Sequence, residues 1–237
     1  MSSDTAENAP GSRFRRARER LLSAFNQRCF YLFAALLLLI VLVPFLEGSS
    51  GGRLALNIIN VLILAAAALA VSRSPLCLVL AAVLGGAIIV CQVLARTLDE
   101  PVLRLGTIGF GTAFYFLTVS YLLAYVARRE VLTLDKLYGA AAAYLMLGLL
   151  WFYFYFVLLH FYPGALAAGG EPVLKPLAGE ILYFSFTVLS STGFGDIVPV
   201  HPIARMLCVL EQIVGVLFIA ILIARLAGTY APIDRRA

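Results

Sequence analysis

Charged side chains are scarce in this sequence. Lys and Arg number 18 and Asp and Glu 13, together 13% of 237 residues, while 62% are hydrophobic. That ratio excludes an ordinary soluble domain, in which about a quarter of the residues are charged, and equally a disordered chain, which lacks the apolar side chains to bury. Histidine occurs twice and cysteine four times. Cys29, Cys77, Cys91 and Cys208 all fall in apolar runs at irregular spacing, which indicates neither a disulfide framework nor a zinc site and leaves them as packing residues. His160 stands alone at the outer end of an aromatic run and reads as an interface residue rather than a ligand or acid–base group. No nucleophile–base pair or metal cluster stands out elsewhere, so no enzymatic activity, cofactor or bound catalytic metal is expected.

What the sequence does have is apolar length. A helix needs about 20 apolar residues to cross a bilayer, and six runs qualify: Cys29 to Leu46, Leu54 to Val71, Leu76 to Ala95, Val102 to Ala127, Leu137 to Phe161 and Ile203 to Ala227. Between the last two lies a shorter apolar piece, Glu180 to Ser190, which suits a re-entrant helix better than a crossing. The expected fold is an all-α integral membrane protein with six transmembrane helices and a re-entrant segment between helices five and six.

The segment RFRRARER puts five arginines before the first run, which is long, lacks a clear small-residue cleavage site and is expected to be retained rather than removed as a signal peptide. Basic flanks face the cytoplasm. Six crossings then place 13 basic residues inside and five outside, so the N- and C-termini are expected to be cytoplasmic and the membrane the plasma (inner) membrane. Topology and lipid headgroups thus account for the net charge of +5, and the arginines lack the aromatic interleaving of a nucleic-acid site. The organisation reads as a basic cytoplasmic segment (1–28), a four-helix bundle (29–130), a pore-like unit (137–227) and a short cytoplasmic tail (228–237). The first segment is either solvated and disordered or an interfacial helix laying Phe14, Leu21, Leu22 and Phe25 on the membrane.

Two nearly identical glycine strings occur, TIGFGT at Thr107 to Thr112 and SSTGFGDIVP at Ser190 to Pro199. Non-helical backbone at membrane depth survives only when sheltered by protein or lining a water-filled cavity. The first string follows a charged link and runs directly into the fourth span, so Gly106, Gly109 and Gly111 read as small surfaces for helix packing. The second has a short helix before it, a span on either side, and Asp196 and Pro199 to stop it. That is the layout of a pore loop. Gly193 and Gly195 accept backbone angles closed to other residues, which lets consecutive carbonyls face one axis and replace the water shell of a cation.

With its lead-in helix, the hydroxyl residue, GFGD, the proline and the final span, this stretch resembles the pore of the tetrameric potassium-channel superfamily of pore-loop cation channels, whose filter reads TxGFGD or TVGYGD. The resemblance covers roughly Leu137 to Ala227 and implies a six-span, bacterial-type channel with a two-helix pore. It implies that Ser191, Thr192, Gly193, Phe194 and Gly195 form the filter, that K+ is held by the carbonyls of Ser191, Thr192, Gly193 and Phe194, and that the partners are potassium ions, lipid and three further copies in a homotetramer. Asp196 would draw cations and accept a hydrogen bond from Tyr183, which sits where relatives often carry tryptophan. Gly215 matches a position where many relatives have a gating hinge, although a glycine there serves packing equally well. The C-terminal end of the lead-in helix, at Ser190, favours a cation, and Glu180 suits its N-terminus.

The departures from that pattern are also informative. Ser191 and Thr192 stand for the usual threonine and valine, and Phe194 for the commoner tyrosine. Glu211, midway along the last span, is a functional candidate because a carboxyl at membrane depth is costly. Thr187 or Ser190 is its expected partner. The fourth span holds no charge between Arg104 and Arg128, so the bundle has the helix count of a voltage sensor without gating charges. After Ala227 ten residues remain, too few for a ligand-sensing domain. The functional expectation is a potassium-selective channel. The alternatives are a weakly selective or non-selective monovalent cation channel, a potassium-transporter-like protein and a non-conducting membrane scaffold.

Overall fold

The computed structural model describes residues 28–46, 50–71, 75–98, 100–127 and 134–230. The arginine-rich segment and the end of the tail lie outside the described residues, as does the interfacial helix considered for the former. Among the described residues seven helices follow in order: α1 (Arg28–Leu46), α2 (Ser50–Val71), α3 (Pro75–Leu98), α4 (Pro101–Ala127), α5 (Leu134–Phe161), α6 (Ala178–Leu189) and α7 (Pro202–Tyr230). Among the described residues five helices are long and apolar enough to cross a membrane: α1, α3, α4, α5 and α7. The chain is a multi-pass membrane protein. The second expected span forms a 22-residue helix, whose described apolar part is the shorter Ile58–Ala67.

Helix α5 is the axis of the fold. Of its span 61% is buried, against 17% for α3 and for α7, because α1, α4, α6 and α7 all pack against it. The sequence explains why: small residues, Gly139, Ala140, Ala142, Ala143 and Gly148, leave room for side chains of its neighbours, such as Cys29 at Gly139 and Phe186 at Gly148, and Met146, Trp151, Tyr153 and Tyr155 are buried among them. In contrast, α7 exposes Met206, Val209, Leu210, Ile213, Val216 and Leu217. A surface that apolar requires lipid or protein cover.

The junction between the bundle and the start of α5 is polar. Asp135, in the first turn of α5, accepts the Cys29 N–H at 3.1 Å and the Tyr125 hydroxyl at 2.9 Å, joining the start of α1 and the end of α4 to one carboxylate.

The TIGFGT string is helical within α4, with Thr107 and Thr112 hydroxyls donating back to Leu103 O (3.1 Å) and Ile108 O (2.8 Å). The Tyr153 ring occupies the space of a Cβ at Gly111, and Cys91 Sγ lies 3.3 Å from one at Gly106. Gly109 has nothing within 4 Å, so it is not one of the packing glycines that were expected.

The all-α expectation needs one amendment. A three-stranded antiparallel sheet, in the order β2-β1-β3, is built from β1 (Leu166–Ala168), β2 (Glu171–Pro172) and β3 (Ile197–Pro199). Ala167 pairs with Pro172 on one side and Val198 on the other. The sheet pins the segment after the second glycine string to the connection that follows α5.

Candidate functional site

The lead-in helix α6 starts after Pro176 with Leu177 in an extended conformation and carries Glu180 in its first turn. It buries Ile181, Leu182, Phe184, Ser185, Val188 and Leu189 against its neighbours. Two glycines let it sit close: the Phe186 ring fills the Cβ position of Gly148 in α5, and the Leu189 carbonyl that of Gly215 in α7. The structure therefore gives Gly215 a packing role.

The helix ends in a Schellman motif. Ser191 N–H donates to Val188 O at 2.9 Å and Thr192 N–H to Thr187 O at 2.9 Å, while Gly193 N–H reaches the same Thr187 carbonyl at 3.2 Å. The left-handed position of this motif belongs to glycine in most helices. Here Ser191 occupies it, at φ 57°, the one non-glycine residue with positive φ among those described. Left-handed backbone costs an L-residue about 1–2 kcal/mol, and such strain gathers at functional sites.

From Ser191 onward the backbone alternates. Ser191, Gly193 and Gly195 have positive φ (57°, 54° and 82°), and Thr192 and Phe194 between them do not. In a strand successive carbonyls point to opposite sides, whereas alternating left- and right-handed residues turn successive peptide groups to one side. All five residues are exposed, and a Cβ added at Gly193 or Gly195 would meet nothing within 4 Å. A single chain leaves one face of this loop uncovered.

The side chains brace the loop from behind. Ser190 Oγ donates to Phe186 O at 2.8 Å and lies 2.8 Å from the Thr192 hydroxyl. Thr187 Oγ1 is occupied by Phe184 O at 2.8 Å. On the outer side, the Tyr183 ring stacks nearly parallel on Phe194, at 6.2 Å and 7°, and its hydroxyl hydrogen-bonds Asp196. The Asp196 carbonyl accepts Gly169 N–H at 3.3 Å, tying the end of the loop to the turn between β1 and β2. His201 Nδ1 accepts the Ile203 N–H at 3.2 Å, its ring stacked on Tyr162 at 4.5 Å. His160 is exposed and packs edge-on to Phe161.

Glu211 has neither of its expected partners. It is fully buried and bonded to Tyr155 of α5 at 2.5 Å and Ser185 of α6 at 2.7 Å. Thr187 and Ser190 lie on the turns of α6 nearer the loop and use their hydroxyls locally. Neither Tyr155 nor Ser185 stood out in the sequence, since one sits in an aromatic run and the other in an apolar helix.

A short helix, a glycine loop with alternating backbone and two long flanking helices thus occupy one contiguous stretch. Residues 139–231 match a family model described as an ion channel, and the matched region runs from the first turns of α5 to the end of α7. No curated protein and no solved structure matches the chain.

Proposed function

We propose that the protein is a potassium-selective channel in which four copies surround a central pore, and that K+ passes down its gradient between carbonyls of Ser191, Thr192, Gly193 and Phe194. The observation that carries this reading is the alternation of φ along Ser191 to Gly195. It directs consecutive carbonyls to one side at the C-terminal, negative end of α6. A ring needs more than one such loop, and each chain has one; closed symmetry with four loops supplies the coordination sphere. The exposed apolar face of α7 and the uncovered loop agree with that assembly.

Six crossings, counting α2, put both termini on the cytoplasmic side of the plasma membrane, as the basic residues favour. Asp196, held by Tyr183, draws cations to the outer mouth. The bound partners of the Thr192 and Ser190 hydroxyls favour the selective channel over a leaky one.

Purified protein in planar bilayers, with K+ on one side and Na+ on the other, tests the proposal. A reversal potential strongly displaced in the direction of K+ permeation is expected. Reversal near zero identifies a non-selective cation channel, and absence of current from folded tetramers identifies a scaffold.

A further inference from the structure

Behind the loop, three helices meet at a row of polar atoms. Gly148 O lies 2.8 Å from Ser185 Oγ, Ser185 Oγ 2.7 Å from Glu211 Oε1, Glu211 Oε2 2.5 Å from Tyr155 Oη, and Tyr155 Oη 3.3 Å from Cys208 Sγ. All four side chains are buried.

Each contact at such a distance needs one proton between its two atoms. Ser185, Tyr155 and Cys208 bring one each, which makes three protons for the four contacts. The assignment then closes in one way. Cys208 donates to Tyr155, Tyr155 donates to Glu211 Oε2, and Ser185 donates to the Gly148 carbonyl. The contact between Glu211 Oε1 and Ser185 Oγ is left without a proton unless the carboxyl provides it. Were Glu211 ionised, Ser185 would have to leave Gly148 O facing a lone pair, and a full negative charge would be buried without a counter-ion. The titratable groups facing Glu211 are Tyr155 and Tyr144 from α5 and Cys208 from α7, while α6 presents Ser185. Among the described residues no basic side chain pairs with it.

The row also has a place in the architecture. Glu211 grips α6 at Ser185, and Gly215, one turn further along α7, grips it at Leu189, one turn further along α6. The Schellman motif that launches the loop is formed by the same last turn, from the Thr187 carbonyl to the Thr192 N–H. We infer that Glu211 carries a proton and is a positioning residue for the filter, donating through Ser185 to the Gly148 carbonyl while accepting from Tyr155, so that α5, α6 and α7 are locked in one register. This inference rests on the reading of Ser191 to Gly195 as a filter, but the state of the carboxyl is testable apart from it.

Two measurements on the full chain in lipid decide the matter. Infrared difference spectra between the native protein and Glu211→Gln, at neutral pH, are expected to show the carbonyl stretch of a protonated carboxylic acid, lost in the variant. Carboxylate bands in its place overturn the inference, whether or not the protein conducts. In bilayers, Glu211→Gln keeps a donor toward Ser185 and an acceptor toward Tyr155. It is expected to retain current within about twofold of native and an unchanged reversal potential, whereas Glu211→Leu loses tenfold or more, by analogy with other broken buried networks. Gln as damaging as Leu, in current or in folding, overturns the inference, because an ionised acceptor pair is what an amide cannot imitate. Absence of current from the native protein itself counts against the channel, and the infrared result still decides the proton.

Discussion

Gly215 of α7 lies against the Leu189 carbonyl in the last turn of α6, closer than any Cβ would permit. The contact sets how near α7 approaches the helix that carries the loop, and the interfering atom is backbone rather than a side chain that can swing away. Gly215→Ala is therefore expected to destabilise the folded protein by about 1–3 kcal/mol or more. Thermal unfolding in detergent, followed by size-exclusion fluorescence, is the measurement. An alanine variant with native stability and altered gating would show a hinge instead.

The two glycines of the other string separate cleanly. Gly111→Ala drives a methyl group into the Tyr153 ring between α4 and α5, whereas Gly109→Ala enters open space on a helix. The first is expected to lower stability by about 1–3 kcal/mol, and the second to be neutral or stabilising by up to about 1 kcal/mol, the helix-propensity difference between the residues. Neither is expected to change ion selectivity. A shifted reversal potential in either variant, with expression intact, would show that the string contributes to conduction.

Asp135 is expected to matter for the stability of the junction between the bundle and α5. Its two oxygens serve Cys29 N–H and the Tyr125 hydroxyl, so Asp135→Ala removes both hydrogen bonds, at about 0.5–1.5 kcal/mol each. Limited proteolysis or unfolding of the variant should show the loss. A variant as stable as native would mean that water replaces the carboxylate at no cost.

The bundle itself is expected to be electrically silent. Moving one elementary charge through 100 mV supplies only about 2.3 kcal/mol, and α4 has no charged residue between Arg104 and its end at Ala127. Open probability should change little between roughly −100 and +100 mV. A steep curve carrying several charges per channel would overturn this.

Apolar length made the long helices legible in the sequence, because hydrophobicity in a membrane is a run rather than a period. The contrast between the two glycine strings was legible too, since only SSTGFGD follows a short helix. Helix ends were less so: α5 starts at Leu134 rather than Leu137, and α7 runs from Pro202 to Tyr230 rather than from Ile203 to Ala227. The three-stranded sheet left no signal, because strands of two or three residues are too short for alternation to show. Glu211 announced itself as an intramembrane carboxyl, but its partners did not, since Tyr155 and Ser185 become polar contacts only when α5 and α6 are brought together.

The Thr192 hydroxyl is the departure from the resembling filters with the most direct bearing on conduction. Thr192 is β-branched and close to valine in volume, and its hydroxyl lies 2.8 Å from Ser190 Oγ. Ser190 keeps a second partner, the Phe186 carbonyl at 2.8 Å, so Thr192→Val strands no donor. The lost hydrogen bond is worth about 0.5–1.5 kcal/mol, and the backbone alternation at Gly193 and Gly195 does not depend on it. Reversal potentials under mixed K+ and Na+ are therefore expected to stay almost unchanged in Thr192→Val. A large gain in K+ preference would show that the native hydroxyl draws water behind the loop and loosens its carbonyls. Gly193→Ala is expected to abolish current while leaving the helices folded, because φ at 54° is a conformation that a side chain resists. Native-like conductance in that variant would dissociate ion passage from this loop altogether.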